Sequence, residues 1–426
     1  MLAEELLELT LKKGISDVEV YQVQSHSRPI SFEANRLKQI ESSQATGFAL
    51  RLWHNGCPGL AVAYGDFNPD DLINKALAIS ELNDFEQPLL NDNNRLIYPN
   101  SITEPNIHQL IAQGKDAIAI ITDKYPEIIT NLDIEWETET TTLVNSHGLY
   151  CLQTDNSYSA SLGIELVREE DFLGIYDGEY SHDKIDLKRM INSVLKRVQW
   201  ADKNTSIKNG KIPVLFTANG AITLWETISE ALNGKRILDK SSPWSESLGK
   251  KVISSSLTLN QQPNLQPYNC PFDDEGTITQ NLNLINEGVL NSFFSDKKTA
   301  QELGIMNTGN GFRPSLSSYP TPDLVNLVIE KGSLSLEEII KNIEDGIIID
   351  QILGEGADIS GDFSFNIDLG YRIRKGEIIG RIKDTMLAGN VYQALNKVEC
   401  VGNDLTWSGS CYTPSILINE LSLVSG

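Results

Sequence analysis

The sequence predicts an α+β protein. Its N-terminal region combines helices with an antiparallel sheet, and its C-terminal region is a mainly antiparallel β domain, barrel-like or a sandwich, with one key helix. Two observations carry the prediction. A helical period of apolar residues at 2–13 precedes an alternating strand pattern at 17–24, and Asn55-Gly56 indicates a hairpin. Beyond residue 210, short apolar runs alternate with glycine and proline turns.

The length of 426 residues favours two or three domains at about 150 residues each. We expect an N-terminal α+β domain with a connector at 1–106, a middle helix–strand–helix region at 107–205 and a C-terminal β-rich domain at 206–426. The connector is polar and rich in proline, and the polar segment 201–210 marks the second boundary. The middle region shows helical periods at its two ends with strand patterns between them; these predict helices at 107–124 and 183–200 and strands at 132–137, 140–145, 149–154, 157–168 and 171–180.

The C-terminal region contains the predicted key helix, at 220–232, directly after an apolar strand at 212–216. Few other segments have a helical period, and we expect these helices at 296–303, 336–342 and 391–398. Short strands account for most of the remainder; we expect them at 276–284, 288–294, 323–330, 364–374, 377–382 and 415–424.

The composition excludes several classes of protein. A net charge of −23 disfavours unaided binding to nucleic acid or to an anionic membrane, because both surfaces would repel the chain. Five widely spaced cysteines without a CxxC pair fit a reducing compartment. The acidic N-terminus does not resemble a signal peptide, and no stretch reaches the roughly 18 apolar residues of a membrane span. We therefore expect a cytoplasmic protein.

Histidine-based chemistry is absent from the C-terminal region, because none of the five histidines follows His182. Carboxylates are the better candidates, since paired acids act as general acid and base or hold a hard cation. The alternative is that these loop residues cap backbone amides. The candidate cleft residues are Asp273, Asp274, Glu275, Asp358, Asp362 and Asn390. Glu226 and Glu230 share one face of the key helix, where they would bind a basic peptide or be solvated.

Several C-terminal segments, in this order, resemble the TldD/PmbA family and in particular its PmbA (TldE) branch. The N-terminal segment 14–52 also resembles the family's first domain. The matching C-terminal segments are KSSPWSESLGKKV at 240–252, PFDDEGTITQNLNLINEGVLNSFFSD at 271–296, GADISGDFS at 356–364, AGN at 388–390 and VGNDL at 401–405.

This resemblance implies a cytoplasmic metalloprotease of two subunits that acts on unfolded peptides. In the family, the TldD-like subunit carries zinc on an HExxxH helix together with a later cysteine, and the TldE-like subunit lacks that site. An older label for the family is modulator of DNA gyrase. The resemblance therefore also implies a TldD-like partner and an unfolded peptide substrate, and a homodimer when the partner is absent.

The chain departs from the zinc motif at each histidine. The resemblance places Trp225 at the first zinc histidine, Glu226 at the glutamate and Glu230 at the second histidine. Cys411 lies in a loop shorter than the family's zinc-cysteine loop, so it is a poor candidate ligand. We therefore expect no catalytic residue, metal or cofactor in this chain, and zinc in a TldD-like partner. Trp225 is expected to fill the space of the metal and its water.

Three functions remain open from the sequence. The leading one is a non-catalytic TldE-like subunit of a TldD/TldE-type protease. The second is an independent hydrolase that uses acidic loop residues such as Asp273, Asp274, Glu275 or Asp358. The third is a homodimeric binding protein without a protease role. None of them involves direct contact with nucleic acid or a membrane.

Overall fold

The structure, a computed structural model, describes residues 1–100, 102–168, 171–354 and 356–425, with Arg168 described by its backbone alone. Within these ranges no helix is long and apolar enough to cross a membrane. The helices are α1 (Ala3–Lys12), α2 (Pro69–Ser80), α3 (Ile107–Lys124), α4 (Leu187–Trp200), α5 (Ala218–Leu232), α6 (Gly234–Leu238), α7 (Lys297–Leu303), α8 (Leu336–Asn342) and α9 (Val391–Leu395).

One large sheet dominates the N-terminal half. Its strands are β1 (Asp17–Glu33), β2 (Arg36–Ile40), β3 (Ser43–His54), β4 (Cys57–Tyr64), β5 (Arg95–Tyr98), β6 (Ile129–Asn145), β7 (Tyr150–Arg168) and β8 (Asp171–Ser181). Their order is β4-β3-β1-β6-β7-β5, with β2 paired to β1 and β8 to β7. Neighbours are antiparallel except β5 and β7, which run parallel. The sheet therefore joins strands from both sides of the connector.

Helices cover one face of this sheet. At one end α1 and α2 pack on β1 and β3, around buried residues such as Val18, Val20 and Leu50. At the other end α3 and α4 pack on β6, β7 and β8, and the same core cluster continues into the C-terminal half. The opposite face remains available for the C-terminal loops and for solvent.

The C-terminal half contains a closed five-stranded barrel. It is formed by β9 (Gly210–Phe216), β16 (Asp345–Leu353), β17 (Asp362–Arg374), β19 (Thr385–Asn390) and β23 (Ile416–Ser425), and the β16–β17 pairing closes it. Two further strands extend this sheet, β18 (Glu377–Ile382) on β17 and β20 (Val398–Val401) on β23. Alternate residues of β9, β16 and β23 enter two different cores, which explains why these strands are continuous apolar runs.

Short strands complete the C-terminal half. One sheet has the order β12-β11-β10-β15-β22-β21, and β13 pairs with β14 in a separate ladder. Their bounds are β10 (Leu259–Gln261), β11 (Leu282–Asn286), β12 (Val289–Leu290), β13 (Gly311–Phe312), β14 (Thr321–Pro322), β15 (Leu327–Ile329), β21 (Thr406–Ser408) and β22 (Cys411–Thr413). The key helix α5 lies between the barrel and β22.

The predicted fold class is confirmed, and several elements differ in extent. The strands predicted at 132–137 and 140–145 form the single strand β6, because Thr138 and Glu139 are paired on both sides. Residues 276–281 were expected to start a strand, but the amide of Thr277 closes a turn on Asp273, Ile278 makes an isolated bridge to Phe272, and β11 begins only at Leu282. The division of the chain at residues 106 and 205 stays a prediction.

The close packing of α5 on the barrel leads to a stability prediction. A Cβ at Gly220 would lie 2.4 Å from the carbonyl oxygen of Ile349 in β16. Alanine is the better helix former by about 1 kcal/mol, but overlap with a backbone atom forces the helix and the barrel apart. We expect Gly220→Ala to lower the free energy of unfolding by about 1–3 kcal/mol in urea denaturation. Ser229→Ala on the same helix is the control, with a change within about 0.5 kcal/mol; equal effects would contradict the packing argument.

Candidate functional site

Helix α5 begins at the cap residue Thr217, whose hydroxyl accepts from the amide of Gly220. One broad face of the helix is apolar and buried against the barrel and β22. Trp225 belongs to this face and has no exposed surface. Its indole Nε1 donates to the hydroxyl of Thr413 in β22 at 2.8 Å. The residue that the resemblance places at the first zinc histidine is thus a hydrogen-bonded core side chain.

The other two motif positions lie at the surface of α5. Glu226 is exposed, and burial of part of its side chain raises its pKa. Glu230 is also exposed and accepts from Arg236 Nε at 2.7 Å. Cys411 lies near this helix: burial and then the charge of Glu226 raise the pKa of its thiol. The structure therefore brings Trp225, Glu226 and Cys411 into one neighbourhood.

These residues do not fit a catalytic zinc site, which needs about three protein ligands and an open position for water. Trp225 offers no metal ligand and occupies its position in the core. The Cys411 thiol is buried with a raised pKa, so its thiolate form is disfavoured. Arg236 engages the Glu230 carboxylate. Among the described residues, no group of three histidine, cysteine or acidic side chains is placed to hold a metal ion.

The consecutive acids Asp273, Asp274 and Glu275 lie at the boundary between the N-terminal sheet and the C-terminal half. Asp273 is fully buried and accepts from the amides of Glu275, Thr277 and Gly311 at 2.8–3.1 Å. Its pKa is raised well above the ordinary value by burial and by the charge of Glu275. A carboxylate that holds three backbone amides shapes a turn, as the capping alternative requires.

The carboxylates of Glu275 and Asp274 also accept hydrogen bonds from backbone amides. Glu275 accepts from the amide of Lys297 at 2.9 Å, and burial raises its pKa to about 7. Lys297 Nζ donates to the carbonyl of Glu275, and burial lowers the pKa of this lysine. Asp274 accepts from the amide of Arg313 at 2.7 Å. The acidic loop is thus buried where the two halves of the chain are in contact.

The remaining candidates form a separate group at one end of the barrel. Asp358 is exposed, and hydrogen bonds from the hydroxyl of Ser360 and then from its amide lower the pKa of this carboxyl. Asn390 Nδ2 donates to Asp362 Oδ1 at 2.9 Å and to the carbonyl of Ser360 at 3.0 Å. The loop contacts α5, since the Thr227 hydroxyl donates to the carbonyl of Ala357. This group therefore lies beside the α5 surface, whereas the acidic loop 273–275 lies elsewhere.

A row of carboxylates on the open face of the N-terminal sheet was not among the predicted sites. We call it the acidic stripe; it comprises Asp133, Glu135, Glu137, Glu139 and Asp155. The four β6 members are two residues apart and therefore share one face. Glu139 lies directly opposite Asp155 of β7. The alternation DIEWETE at 133–139 was the sequence signal for it.

Two members of the acidic stripe accept side-chain hydrogen bonds, Asp133 from Ser31 and Asp155 from Gln153. Like charges directly opposite in a sheet are destabilising. No ion pair to these five carboxylates occurs among the described residues. Burial, and then the neighbouring carboxylates, raise the pKa of Glu137 and Glu139. A cationic binding partner would relieve this repulsion.

A wall of aromatic rings adjoins the acidic stripe. Tyr180 stacks on Tyr268 with ring centroids 4.7 Å apart, Tyr268 meets Trp407 edge-on at 4.9 Å, and Trp407 stacks on Tyr412 at 4.7 Å. The four rings line a cavity of about 810 Å³ that also includes Ser159, the cross-strand neighbour of Glu135. Carboxylates beside aromatic faces form a surface suited to cationic side chains.

Two segments of the sequence match a known family. Residues 209–425 match the PmbA/TldA metallopeptidase C-terminal domain, and residues 18–80 match domain 1 of the same metallopeptidases. The chain belongs to the TldD/PmbA family.

Relatives of the TldD/PmbA family are similar over parts of their length. A metalloprotease TldD homologue of Buchnera aphidicola is 34% identical over 201 residues, which are 46% of this chain and 42% of that protein. The metalloprotease PmbA of Escherichia coli O157:H7 is 26% identical over 293 residues, 66% of this chain and 61% of that protein. The chain thus aligns with only about half the length of these relatives.

The fold matches a solved structure over its whole length. The crystal structure of TldE from Thermococcus kodakarensis superposes with a TM-score of 0.89 and covers 99% of each chain, at 24% identity. At 24% sequence identity, the structural similarity establishes a shared fold and nothing further.

The burial of Trp225 predicts that one substitution does not create a zinc site. In Trp225→His the new imidazole would enter the core beside Thr413, with a buried thiol and surface glutamates as its neighbours. We expect zinc, measured by mass spectrometry of the folded protein, to stay far below one ion per chain. Trp225→Phe is the control for nonspecific zinc. A full equivalent of zinc in the histidine variant alone would show that the metal space is still open.

The raised pKa of Glu275 predicts a pH-dependent contribution to stability. The folded state binds the Glu275 proton more tightly than the unfolded state does. Protonation of Glu275 therefore stabilises the fold fully below pH 4.5, and this contribution is lost as the pH rises through about 7. Glu275→Gln removes the titration. The unfolding free energy of the wild type minus that of Glu275→Gln should fall by up to about 3 kcal/mol across this window. Glu302→Gln on exposed α7 should follow the wild type; a difference for Glu275→Gln that does not vary with pH would contradict the assignment.

Proposed function

We propose that this chain is the non-catalytic, TldE-like subunit of a cytoplasmic TldD/TldE-type metalloprotease that acts on unfolded peptides. In this proposal the zinc ion and the hydrolytic residues belong to a TldD-like partner. The chain contributes a surface that completes the substrate cavity and holds the peptide.

The observation that carries the proposal is the packing of α5, in which Trp225 is buried. The helix is capped by Thr217 and packed against the barrel, while Trp225 fills the core at the position assigned to the first ligand and bonds to Thr413. Glu226, at the position of the family's glutamate, has no activated water to act on without a metal. A helix of this kind supports the fold and a surface, and hydrolysis needs the partner.

The acidic stripe and the aromatic wall support a preference for basic unfolded peptides. The stripe lies on an open sheet face, where an extended chain can lie across several strands. Its uncompensated carboxylates gain a favourable charge interaction when lysine or arginine side chains approach. The aromatic rings add cation–π contacts at the end of the stripe.

The alternative of an independent hydrolase draws on different residues. Asp273 and Glu275 have raised pKa values, as general acids often do. Their carboxylates are nevertheless occupied by backbone amides. The pattern favours a structural role, so we rank the partner-subunit function first. A homodimeric binding protein without a protease role is the third candidate.

A paired cleavage assay tests the proposal. The purified chain, a TldD-like subunit from the same source, and their mixture are each incubated with an unfolded peptide, and zinc is measured in each sample. We expect no cleavage and no stoichiometric zinc for this chain, and cleavage by the mixture at least tenfold above the partner alone. Cleavage by this chain alone, abolished by Asp273→Asn, would support the hydrolase instead. A mixture no faster than the partner alone would refute the subunit role.

The acidic stripe predicts a charge preference that can be measured without catalysis. We expect the double variant Glu137→Gln/Glu139→Gln to bind a lysine-rich unfolded peptide about three- to tenfold more weakly, since two partly exposed charge pairs are lost. Added salt should weaken binding by the wild type more than by the variant. Glu344→Gln/Glu377→Gln, at exposed positions just before β16 and at the start of β18, changes the net charge equally and should bind as the wild type does. If both variants weakened peptide binding equally, the weakening would result from net charge and not from the acidic stripe.

A further inference from the structure

The aromatic wall runs from the N-terminal sheet to the C-terminal half of the chain. Tyr180 belongs to β8, Tyr268 to the loop after β10, Trp407 to β21 and Tyr412 to β22. All four side chains are half-buried, and each ring contacts the next. The cavity of about 810 Å³ that they line is within the size range of ligand sites. The rings therefore form one continuous aromatic surface that a ligand can reach.

Three of these rings carry hydrogen-bond donors that have no partner. Among the residues that the structure describes, none bonds to the hydroxyl of Tyr268 or Tyr412, or to the indole Nε1 of Trp407. These three groups are not among the buried polar atoms that lack a partner, and their side chains are half-buried. A ligand in the cavity can therefore accept hydrogen bonds from them without a movement of the wall.

The charged side chains in the described lining of this cavity are already engaged. The pairs are Arg189 with Asp177 and Glu179, Arg197 with Asp177 and Asp350, Lys196 with Glu337, and Asp404 with the hydroxyl of Ser415. The cavity thus offers no unpaired charge of its own. The part of a ligand that enters it is favoured to be neutral, because a charged group would lose its hydration without gaining an ion pair.

Unpaired charge begins beside the wall, on the acidic stripe. Tyr180 lies opposite Ser159, and Ser159 lies opposite Glu135, so the three side chains form one row across β8, β7 and β6. Neighbouring strands are about 4.8 Å apart, which places Glu135 about 10 Å from Tyr180 along this row. Burial, and to a smaller extent the charge of Asp155, raises the pKa of Tyr180. A ligand that is neutral on the wall can therefore place a cationic group on the stripe.

This combination matches the way in which proline-rich segments are recognised. Such segments dock in grooves lined by aromatic rings, because their preformed polyproline II helix loses little entropy on binding. The carbonyl groups of this helix have no internal partner, so they can accept from the hydroxyl and indole donors of the wall. Proline has no N–H group and leaves no donor unpaired against the rings. A lysine or arginine beside the prolines supplies the cationic group for the stripe.

We propose that the aromatic wall binds a proline-rich segment in the polyproline II conformation, with an adjacent basic residue on the acidic stripe. The inference rests on the proposed function, since it names the class of unfolded peptide that this subunit would hold for its partner. Binding itself requires no partner, because the wall and the stripe belong to this chain alone.

Fluorescence anisotropy of a labelled peptide, measured with the full chain and no partner, tests the inference. The peptide has two lysines followed by eight prolines. We expect saturable binding that is at least about fivefold weaker in Tyr268→Phe/Tyr412→Phe, because both rings remain and two hydrogen bonds to peptide carbonyls are lost. Tyr64→Phe removes an exposed hydroxyl from β4, at the opposite end of the sheet, and should bind as the wild type does.

Two altered peptides separate the role of the prolines from that of the charge. Replacing the eight prolines by alternating glycine and serine keeps the charge and removes the preformed helix, and should weaken binding at least about tenfold. Replacing the two lysines by glutamates should weaken binding at least about tenfold, because the acidic stripe repels them. No binding of the original peptide, or equal affinity for the proline-free peptide, would overturn the inference.

The double variant decides whether the peptide lies on the wall. Equal affinity of the wild type and Tyr268→Phe/Tyr412→Phe would place the prolines elsewhere and refute the site. Circular dichroism checks the fold of the variant, and if it is unfolded the two altered peptides decide alone. Cleavage by the mixture of subunits without binding of the proline peptide would refute the inference and leave the subunit role standing. Binding without cleavage by the mixture would refute the subunit role and leave the wall as a proline-binding site.

Discussion

The carboxylate of Glu19 links the two halves of the chain. It is 2% exposed, and it accepts from Arg313 of the C-terminal half at 2.7 Å and from Arg51 of the N-terminal sheet at 3.1 Å. Two buried guanidinium groups share this one carboxylate, so each depends on its placement. Removing one partner of such a pair typically costs 3–5 kcal/mol because the other charge stays buried. The position of the acidic loop 273–275 follows from this contact, since the backbone of Arg313 holds Asp274.

This constraint separates the acids of the chain into two kinds. The carboxylates of the acidic loop are buried, saturated by backbone amides and committed to joining the halves. Those of the acidic stripe lie on an open face with no ion-pair partner among the described residues. Sequence alone ranks the first kind higher, because three consecutive acids are conspicuous. In the structure, the acidic stripe is more accessible to a ligand than the acidic loop is.

Much of the fold was readable from local patterns. Helices α3 and α8 and strand β18 have the predicted bounds, because each combines a clear apolar period with turn residues at its ends. Residues 276–281 were misassigned, because the Asp273 carboxylate holds the amides of Glu275 and Thr277 in a turn and no ladder starts there. The space-filling role of Trp225 stays a prediction; the structure shows that its side chain is buried and that its bond to Thr413 joins residues 188 apart in sequence. Such a pairing follows from the topology and has no local signal.

The closed barrel constrains how this chain can fold during synthesis. Strand β9 ends at Phe216, yet its antiparallel neighbour β23 begins only at Ile416. The ribosome must therefore release some 200 further residues before β9 gains that neighbour. Until then the facing edges of β9 and β19, between which β23 inserts, are open to other chains, and contacts so distant in sequence form slowly. Rapid synthesis would shorten this interval and a chaperone would cover the open edges, whereas a ribosome stalled before residue 416 would leave an aggregation-prone barrel that lacks one of its five strands.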